Sequence, residues 1–199
     1  MEEPAAAGEP AATEPIALSR AGRRLTRRTL FAAAGGTLLL GTFGRGAWAA
    51  PHGERRLLLY NPHTDERFDD LYWADGNYVP GALRQVDWLM RDYHQGKVAP
   101  IDAALLDLLH RLSQRLELTQ PFTVLSGYRT AATNRLLRSE GMGAAAHSEH
   151  LFAKAADIRV EGVRLSHLRH AALSLAEGGV GTYWHDDFVH VDVGPVRSW

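Results

Sequence analysis

The sequence predicts an α+β domain with a small, mostly antiparallel sheet and helices packed on one side of it. Three observations favour this class. Several short segments are rich in β-branched and aromatic residues, as strands are. A leucine-rich segment repeats its apolar residues at helical spacing, and turns that contain Gly and Asp separate neighbouring strands.

Composition limits the kinds of site that the chain can hold. The chain has 199 residues, of which 45% are hydrophobic, and a formal net charge of -1, which suits one soluble domain with an extension. It has no cysteine, so disulfides, thiolate metal sites and cysteine nucleophiles are excluded. The near-neutral charge offers no basic surface to nucleic acid, which is not expected as a partner. Any metal must therefore be held by His, Asp and Glu.

The N-terminal residues 1–49 are predicted to be a disordered segment followed by an export signal. Residues 1–22 are rich in Ala, Glu and Pro. An arginine-rich stretch, a small apolar run and an A-W-A cleavage site at residues 47–49 follow, and T-R-R-T-L-F at residues 26–31 is similar to a twin-arginine signal. We therefore expect the twin-arginine export machinery as a partner, no stable membrane span in the mature form, and a working domain at residues 50–199. An uncleaved N-terminal anchor is the alternative.

The first elements of the working domain are predicted to be a hairpin and a helix. Residues 56–60 (R-L-L-L-Y) and 67–73 read as strands, and A-D-G-N at residues 74–77 is a hairpin-type turn. Pro80 begins a helix, because the N–H that proline lacks is not needed in the first turn. The helical spacing of apolar residues continues towards Gly96, which is expected to end the helix.

The next segments predict helices around a short strand. Asp102 is a good N-cap for a helix whose leucines form an apolar stripe. Residues 121–129 (P-F-T-V-L-S-G-Y-R) read as a strand that ends in a polar turn, and Thr130 can cap the helix that follows. A further helix is expected between a Ser166 cap and Glu177.

Two stretches of ligand-type residues carry the chemistry, one at residues 147–160 (H-S-E-H-L-F-A-K-A-A-D-I-R-V) and one at residues 188–193 (F-V-H-V-D-V). Successive side chains of a strand alternate between faces, so each stretch places one metal ligand on its polar face. If the two strands are neighbours, Asp157 and His190 meet. His150, on the loop that enters the first strand, then closes a third position.

Two imidazoles and one carboxylate are the ligand set of a catalytic zinc site, which keeps an open position for water. A single histidine in an apolar strand is more often a structural residue than a ligand. The recurrence of ligand-type residues on matching faces of two strands favours the metal site. His147 stands three residues before His150, and this His-x-x-His pair is a second way to bind a metal.

Three motifs in order resemble the zinc D-alanyl-D-alanine peptidase superfamily, which has the Hedgehog/DD-peptidase fold. They are S-G-Y-R at residues 126–129, S-x-H-L-x-x-K-A-A-D at residues 148–157, and G-G-V-G-x-Y followed by F-V-H-V-D-x-G at residues 178–194. The set is most similar to the murein endopeptidase K branch of exported bacterial proteins. One departure from the pattern is Ala153, where many relatives carry Gly.

The resemblance implies zinc as the cofactor, with His150, Asp157 and His190 as its ligands. It favours His150 over His147, because only His150 has the family's spacing to Asp157. It also implies that Arg129 contacts the substrate or the transition state, since a guanidinium is suited to bidentate contact with a carboxylate or carbonyl oxygen.

Two residues are candidates for the catalytic proton shuttle. Asp187 stands three residues before His190, where dipeptidase relatives place Glu, and His185 stands five before it, where a carboxypeptidase relative has a catalytic His. The resemblance does not choose between them. Asp192 is expected to support His190 or to pair with Arg159.

The resemblance implies an exported zinc metallopeptidase of the periplasm or cell envelope that hydrolyses peptide cross-links of peptidoglycan. Its expected partners are peptidoglycan stem peptides, and the expected bond lies in cross-links between diaminopimelate residues. Two alternatives are a cell-wall-binding module that retains the metal site without catalysis and a non-haem iron enzyme, which also uses two histidines and one carboxylate.

Overall fold

The computed structural model describes residues 53–199, so the predicted disordered N terminus and export signal lie outside the described residues. The elements of the described part, in chain order, are β1 (Arg55–Asn61), β2 (Glu66–Ala74), β3 (Asn77–Tyr78), α1 (Pro80–Leu89), α2 (Ala103–Arg115), β4 (Phe122–Ser126), α3 (Ala131–Ser139), a short 3₁₀ helix (Glu149–Phe152), β5 (Ala155–Val160), α4 (Leu165–Ser174), β6 (Gly179–Tyr183), β7 (Phe188–Asp192) and β8 (Arg197–Ser198). None of these helices combines the length and the apolar character that crossing a bilayer requires.

The strands of residues 53–199 form one sheet in the order β3-β2-β1-β4-β5-β7-β6-β8. The pairs β1–β4 and β6–β8 are parallel, and the other neighbours are antiparallel. The prediction of a sheet with helices is confirmed, but the small, mostly antiparallel sheet is wrong, because the sheet is mixed and has eight strands. The sequence signals strands one at a time. A parallel neighbour such as β1–β4 arises only after α1 and α2 have carried the chain back across the sheet.

The hydrophobic core lies between one face of the sheet and the helices α1, α2 and α4. The predicted leucine stripe of α2 is buried there, at Leu105, Leu108, Leu109 and Leu112. Ile158 of β5 and Val189 of β7 face the same core. Because strand side chains alternate, Asp157 and His190 lie on the opposite face of the sheet.

Two predicted helix caps are confirmed. The Asp102 side chain accepts a hydrogen bond from the Ala104 backbone N–H at 2.9 Å, and the Thr130 side chain accepts one from the Thr133 N–H at 3.2 Å. These bonds satisfy N–H groups that have no partner within the first turn of a helix. The predicted cap at Ser166 is wrong, because α4 begins at Leu165 after Arg164, which makes no side-chain cap.

The first helix is shorter than predicted, because α1 ends at Leu89 and does not reach Gly96. The carboxylate of buried Asp92 accepts hydrogen bonds from the backbone N–H groups of His94 and Gln95, at 3.1 and 3.2 Å. A short side chain that binds nearby backbone N–H groups competes with the helical pattern. Apolar residues therefore keep helical spacing after Leu89, although the chain there is no longer helical.

A carboxylate on α2 joins this helix to the first three strands. Asp107 accepts hydrogen bonds from Arg55 Nη1 at 2.5 Å and from the hydroxyls of Tyr72 and Tyr78, both at 2.9 Å. Tyr72 is completely buried. Burial alone would raise the pKa of Asp107, but the hydrogen bonds from Arg55, Tyr72 and Tyr78 outweigh it and lower this pKa. The charged form of Asp107 therefore stabilises the native state.

Replacing Asp107 by Ala is expected to lower the free energy of unfolding by about 1–3 kcal/mol, because the buried Tyr72 hydroxyl loses its acceptor. Urea denaturation measures the change. Since the folded-state pKa of Asp107 is lowered, its contribution is present above the unfolded pKa of about 3.9 and is lost as the pH falls below that value.

The matched control is Asp69→Ala, which removes an exposed ion pair with Arg56. It is expected to leave the unfolding midpoint nearly unchanged, because exposed pairs contribute little. Equal effects of the two substitutions would contradict the structural role assigned to Asp107.

Candidate metal centre and the surrounding groove

Three predicted ligands converge on one point. Strands β5 and β7 are antiparallel neighbours with Asp157 opposite His190, as the alternation predicts for adjacent strands. His150 reaches the same point from the 3₁₀ helix that precedes β5. One ligand atom of each residue lies within 4.8 Å of the other two, and all three residues are buried.

The three ligand atoms form a nearly equilateral triangle. His150 Nε2 is 3.2 Å from Asp157 Oδ1 and 3.1 Å from His190 Nδ1, and His190 Nδ1 is 2.9 Å from Asp157 Oδ1. Tetrahedral ligands bonded at about 2.0–2.1 Å to a zinc ion are separated by roughly 3.3 Å. The donor set and its spacing therefore fit a small divalent ion.

The other nitrogen of each imidazole already has a partner. His150 Nδ1 lies 2.6 Å from the Gly127 carbonyl oxygen, and His190 Nε2 lies 2.9 Å from Asp192 Oδ2. An N–H that donates to an oxygen on one side of the ring leaves the opposite nitrogen free to act as a ligand. Both rings are thus oriented with a free nitrogen towards Asp157.

Arg129 contacts the second oxygen of Asp157. Its Nη2 forms an ion pair with Asp157 Oδ2, and its Nε donates to Ser126 Oγ at 2.7 Å. The Arg129 backbone N–H also donates to the His150 carbonyl oxygen at 3.0 Å. Arg129 therefore stands beside the cluster, and its role in contacting substrate stays a prediction.

Charges around the cluster shift the pKa of each member. Burial would raise the pKa of Asp157, but His150, His190 and Arg129 together hold it well below its usual range. Burial lowers the pKa of His150, against the attraction of Asp157. Burial also acts to lower the pKa of His190, but hydrogen bonds to Asp157 and Asp192 outweigh it and raise this pKa. The cluster therefore holds a fixed negative charge at Asp157.

Asp192 supports His190 and pairs with an arginine, but this arginine is Arg197 and not Arg159. Asp192 is fully buried, and its carboxylate accepts from Arg197 Nη1 at 3.1 Å and from Arg197 Nη2 at 2.7 Å. The backbone N–H groups of Gly179 and Gly194 donate to the same carboxylate. Burial alone would raise the pKa of Asp192, but its hydrogen bond with His190, followed by those from Gly194, Arg197 and Gly179, outweighs burial and lowers this pKa.

The two candidate proton shuttles lie in the turn between β6 and β7, at residues 184–187, and both are exposed. His185 lines a cavity whose wall also contains Asp157. Asp187 has a left-handed backbone with a φ of 53° and lines neither of the cavities next to the cluster. The structure therefore places His185 in the wall of the larger cavity, whereas Asp187 has the geometry of a turn residue.

Two cavities meet at the candidate metal centre. The smaller has a volume of about 300 Å³, and the larger has a volume of about 640 Å³. Arg129, Asp157, Tyr183 and Phe188 line both of them. The candidate metal centre therefore borders both cavities at Asp157. His147 lies in the wall of the smaller cavity, exposed, and the structure does not bring it together with Asp157 and His190.

Three residues next to the site have no functional role predicted from the sequence. Asp92 accepts the Thr130 backbone N–H at 2.8 Å, next to Arg129, and Trp199 lines the smaller cavity together with Arg197. A sequence signal exists for Arg197 and Trp199. The glycines of the G-G-V-G motif indicate that another group approaches their strand closely.

The departure at Ala153 does not prevent the expected backbone geometry. Ala153 adopts the left-handed conformation, with φ 56° and ψ 34°, and its N–H donates to the His150 carbonyl oxygen. Ala153 therefore adopts a conformation that glycine reaches more readily than alanine.

The chain is similar to a known family along most of its length. The family described as peptidoglycan L,D-endopeptidase MepK matches residues 49–199. The peptidoglycan L,D-endopeptidase MepK of Escherichia coli (strain K12) is 38% identical over 176 residues, which cover 87% of this chain and 96% of the relative. The probable peptidoglycan L,D-endopeptidase MepK of Haemophilus influenzae is 37% identical over 146 residues, which cover 73% and 78% of the two chains.

A solved structure, the L-Ala D-Glu endopeptidase ChiX of Serratia marcescens, is 19% identical and covers 47% of this chain and 80% of that chain. The TM-score between the two structures is 0.36. The family match and the curated relatives confirm the resemblance to the murein endopeptidase K branch. The chain belongs to the peptidoglycan L,D-endopeptidase MepK family.

Proposed function

We propose that this protein is a zinc metallopeptidase that hydrolyses peptide cross-links of peptidoglycan. The observation that carries the proposal is the convergence of His150 Nε2, Asp157 Oδ1 and His190 Nδ1, with the other nitrogen of each ring already hydrogen-bonded. Three protein ligands with an open position are typical of catalytic zinc sites, whereas structural sites have four. The names of the relatives support an L,D-endopeptidase in particular.

A zinc ion held there would supply a Lewis acid that polarises the scissile carbonyl and lowers the pKa of water from about 15.7 to about 7. The protein's own residues then have to orient the peptide and move a proton. Arg129 lines both cavities and can place its guanidinium against a carbonyl or carboxylate oxygen of the substrate. His185, in the wall of the larger cavity, is the residue that we propose as the proton shuttle.

The two adjoining cavities offer room for a substrate that extends beyond the scissile bond. A cross-link between two stems extends in both directions from the scissile bond, so an endopeptidase needs space on both sides of its catalytic centre. Asp157 lines both cavities, and their volumes of about 300 and 640 Å³ lie within or near the usual range for ligand sites.

One observation weighs against the non-haem iron alternative. His190 and Asp192 do have the His-x-Asp spacing that is usual in those enzymes. However, Asp192 binds His190 Nε2, on the opposite side of the ring from Nδ1, so it does not belong to the ligand cluster. The carboxylate of the cluster is Asp157, from another strand.

We also propose that the protein acts in the periplasm or cell envelope after export by the twin-arginine route. The support is the signal pattern at residues 26–31, which lies outside the described residues, together with the peptidoglycan named for the relatives. Peptidoglycan stem peptides are the proposed partners.

Removing the metal is expected to abolish cleavage of cross-linked muropeptides, and added zinc is expected to restore it.

Asp157→Ala is expected to weaken zinc binding by more than about 100-fold, because loss of a ligand exceeds the 10–100-fold effect of outer partners. Mass spectrometry of digested muropeptides and metal analysis of natively loaded protein provide the measurements.

Asp69→Ala, in an exposed ion pair on β2, is the matched control and should bind zinc like the wild type. A zinc-loaded protein that binds muropeptides and leaves every cross-link type intact would indicate a binding module instead. Iron as the natively loaded metal would favour the oxygenase class.

Replacing His185 by Ala is expected to lower kcat by about 100-fold or more, the usual contribution of a general acid or base. Asp187→Gly keeps the left-handed backbone of the turn and is expected to retain most of the activity. Steady-state kinetics on a defined cross-linked peptide compares the two variants. The reverse ranking would assign the shuttle to Asp187.

Replacing both Arg27 and Arg28 by Lys is expected to keep the protein in the cytoplasm, because paired arginines identify the twin-arginine signal. Cell fractionation and immunoblotting measure the distribution. Substitution of Arg23 and Arg24, outside the T-R-R-T-L-F motif, is the control and should leave export intact.

A further inference from the structure

The segment that contains β8 and Trp199 is fixed to strand β6 by backbone hydrogen bonds. The Arg197 N–H donates to the Gly178 carbonyl at 3.2 Å, and the Trp199 N–H donates to the Val180 carbonyl at 3.2 Å. The Thr182 N–H donates in turn to the Trp199 carbonyl at 3.1 Å. Strand β6 pairs with β8 on one side and with β7, which carries His190, on the other. The parallel pairing of β8 therefore brings Arg197 and Trp199 close to His190.

Arg197 reaches the candidate metal centre through one intermediate residue. Its two terminal nitrogens donate to the two oxygens of Asp192, at 3.1 and 2.7 Å, which is a bidentate arrangement. Asp192 in turn accepts from His190 Nε2 at 2.9 Å and is fully buried. The guanidinium therefore helps to hold the carboxylate in place, together with the backbone N–H groups of Gly179 and Gly194, and the carboxylate orients the His190 ring.

Trp199 contacts the same histidine directly. The centroids of the Trp199 and His190 rings are 5.3 Å apart, and the ring planes are tilted by 45°. The indole N–H donates to the Tyr183 hydroxyl at 3.3 Å, and the Arg197 guanidinium lies 5.2 Å from the indole centroid. The indole is thus held in place on two sides and restricts rotation of the imidazole.

Two glycines of the G-G-V-G motif leave room for these contacts. A Cβ atom at Gly179 would lie 2.4 Å from Asp192 Oδ2 and 2.7 Å from Arg197 Nη1. A Cβ atom at Gly181 would lie 2.5 Å from the Trp199 ring. The motif is therefore explained by the approach of Arg197, Asp192 and Trp199 to β6.

We propose that Arg197 and Trp199 are positioning residues for the metal centre, which hold the His190 ring with Nδ1 towards Asp157 and His150. They act on a metal through His190 and are not ligands themselves. The inference rests on the proposed metallopeptidase function, because the consequence of a misplaced His190 is weaker metal binding.

The test measures zinc affinity of the purified protein by competition with a chromophoric chelator, together with the visible spectrum of the cobalt-substituted protein. Arg197→Ala is expected to weaken zinc binding about 10-fold and to change the cobalt spectrum, as loss of outer partners does. Arg197→Lys, which keeps the charge without the bidentate geometry, is expected to be intermediate. Trp199→Ala is expected to weaken binding, and Trp199→Phe to retain most of it.

Arg56→Ala is the matched control, because Arg56 is also an arginine paired with an aspartate on the sheet, and it lines neither cavity next to the cluster. It should bind zinc like the wild type. Thermal denaturation of the metal-free variants separates a loss of folding from a loss of metal affinity, and Arg197→Lys serves if Arg197→Ala does not fold.

Unchanged zinc affinity in both Arg197 variants would overturn the inference and leave the proposed function intact. A rise in KM at unchanged zinc affinity would also overturn the inference, because it would make Arg197 a substrate contact. A wild-type protein that binds no zinc would overturn the proposed function and the inference together.

Discussion

The antiparallel register of β5 and β7 is the constraint on which the site depends. The pairing puts Asp157 opposite His190, and on the other face of the sheet it puts Ile158 opposite Val189 and Ala156 opposite Val191. A shift by one residue would turn Asp157 into the hydrophobic core and expose Ile158. The geometry of the polar site is therefore set by burial of apolar side chains on the reverse side of the same strands.

The site keeps two carboxylates buried, and each has an arginine partner. Asp157 directs one oxygen to the histidines and the other to Arg129, while Asp192 binds both His190 and Arg197. A buried charge is costly unless it is paired and hydrogen-bonded. The two arginines thus allow negative charge to be retained beside His150 and His190 before any cation binds. This arrangement favours a site that is organised in advance of metal binding.

Much of the site could be predicted because it follows from alternation along single strands. The faces of β5 and β7, the caps at Asp102 and Thr130 and the convergence of three ligands needed only local patterns and one assumption about neighbours. The early end of α1 goes with local hydrogen bonds of Asp92, which the apolar spacing does not reveal. The parallel strand pairs depend on contacts between distant segments. Such contacts leave little periodic signal in the chain. Of the two roles predicted for Asp192, the contact with His190 is found, whereas its arginine partner is Arg197 of β8 and not Arg159 of β5.

Gly127 connects the packing of the core to the orientation of His150. Its carbonyl oxygen accepts from the His150 ring, and a Cβ atom at this position would lie 2.5 Å from the carbonyl oxygen of buried Met90. The Tyr128 N–H binds that same Met90 carbonyl, so the strand end has no freedom to move away. Substituting the metal ligands alone would leave the contact between Gly127 and Met90 unchanged. Because the contact is made by the main chain and the Cβ of Met90, a shift of the end of α1 would move the Gly127 carbonyl and, with it, the His150 ring.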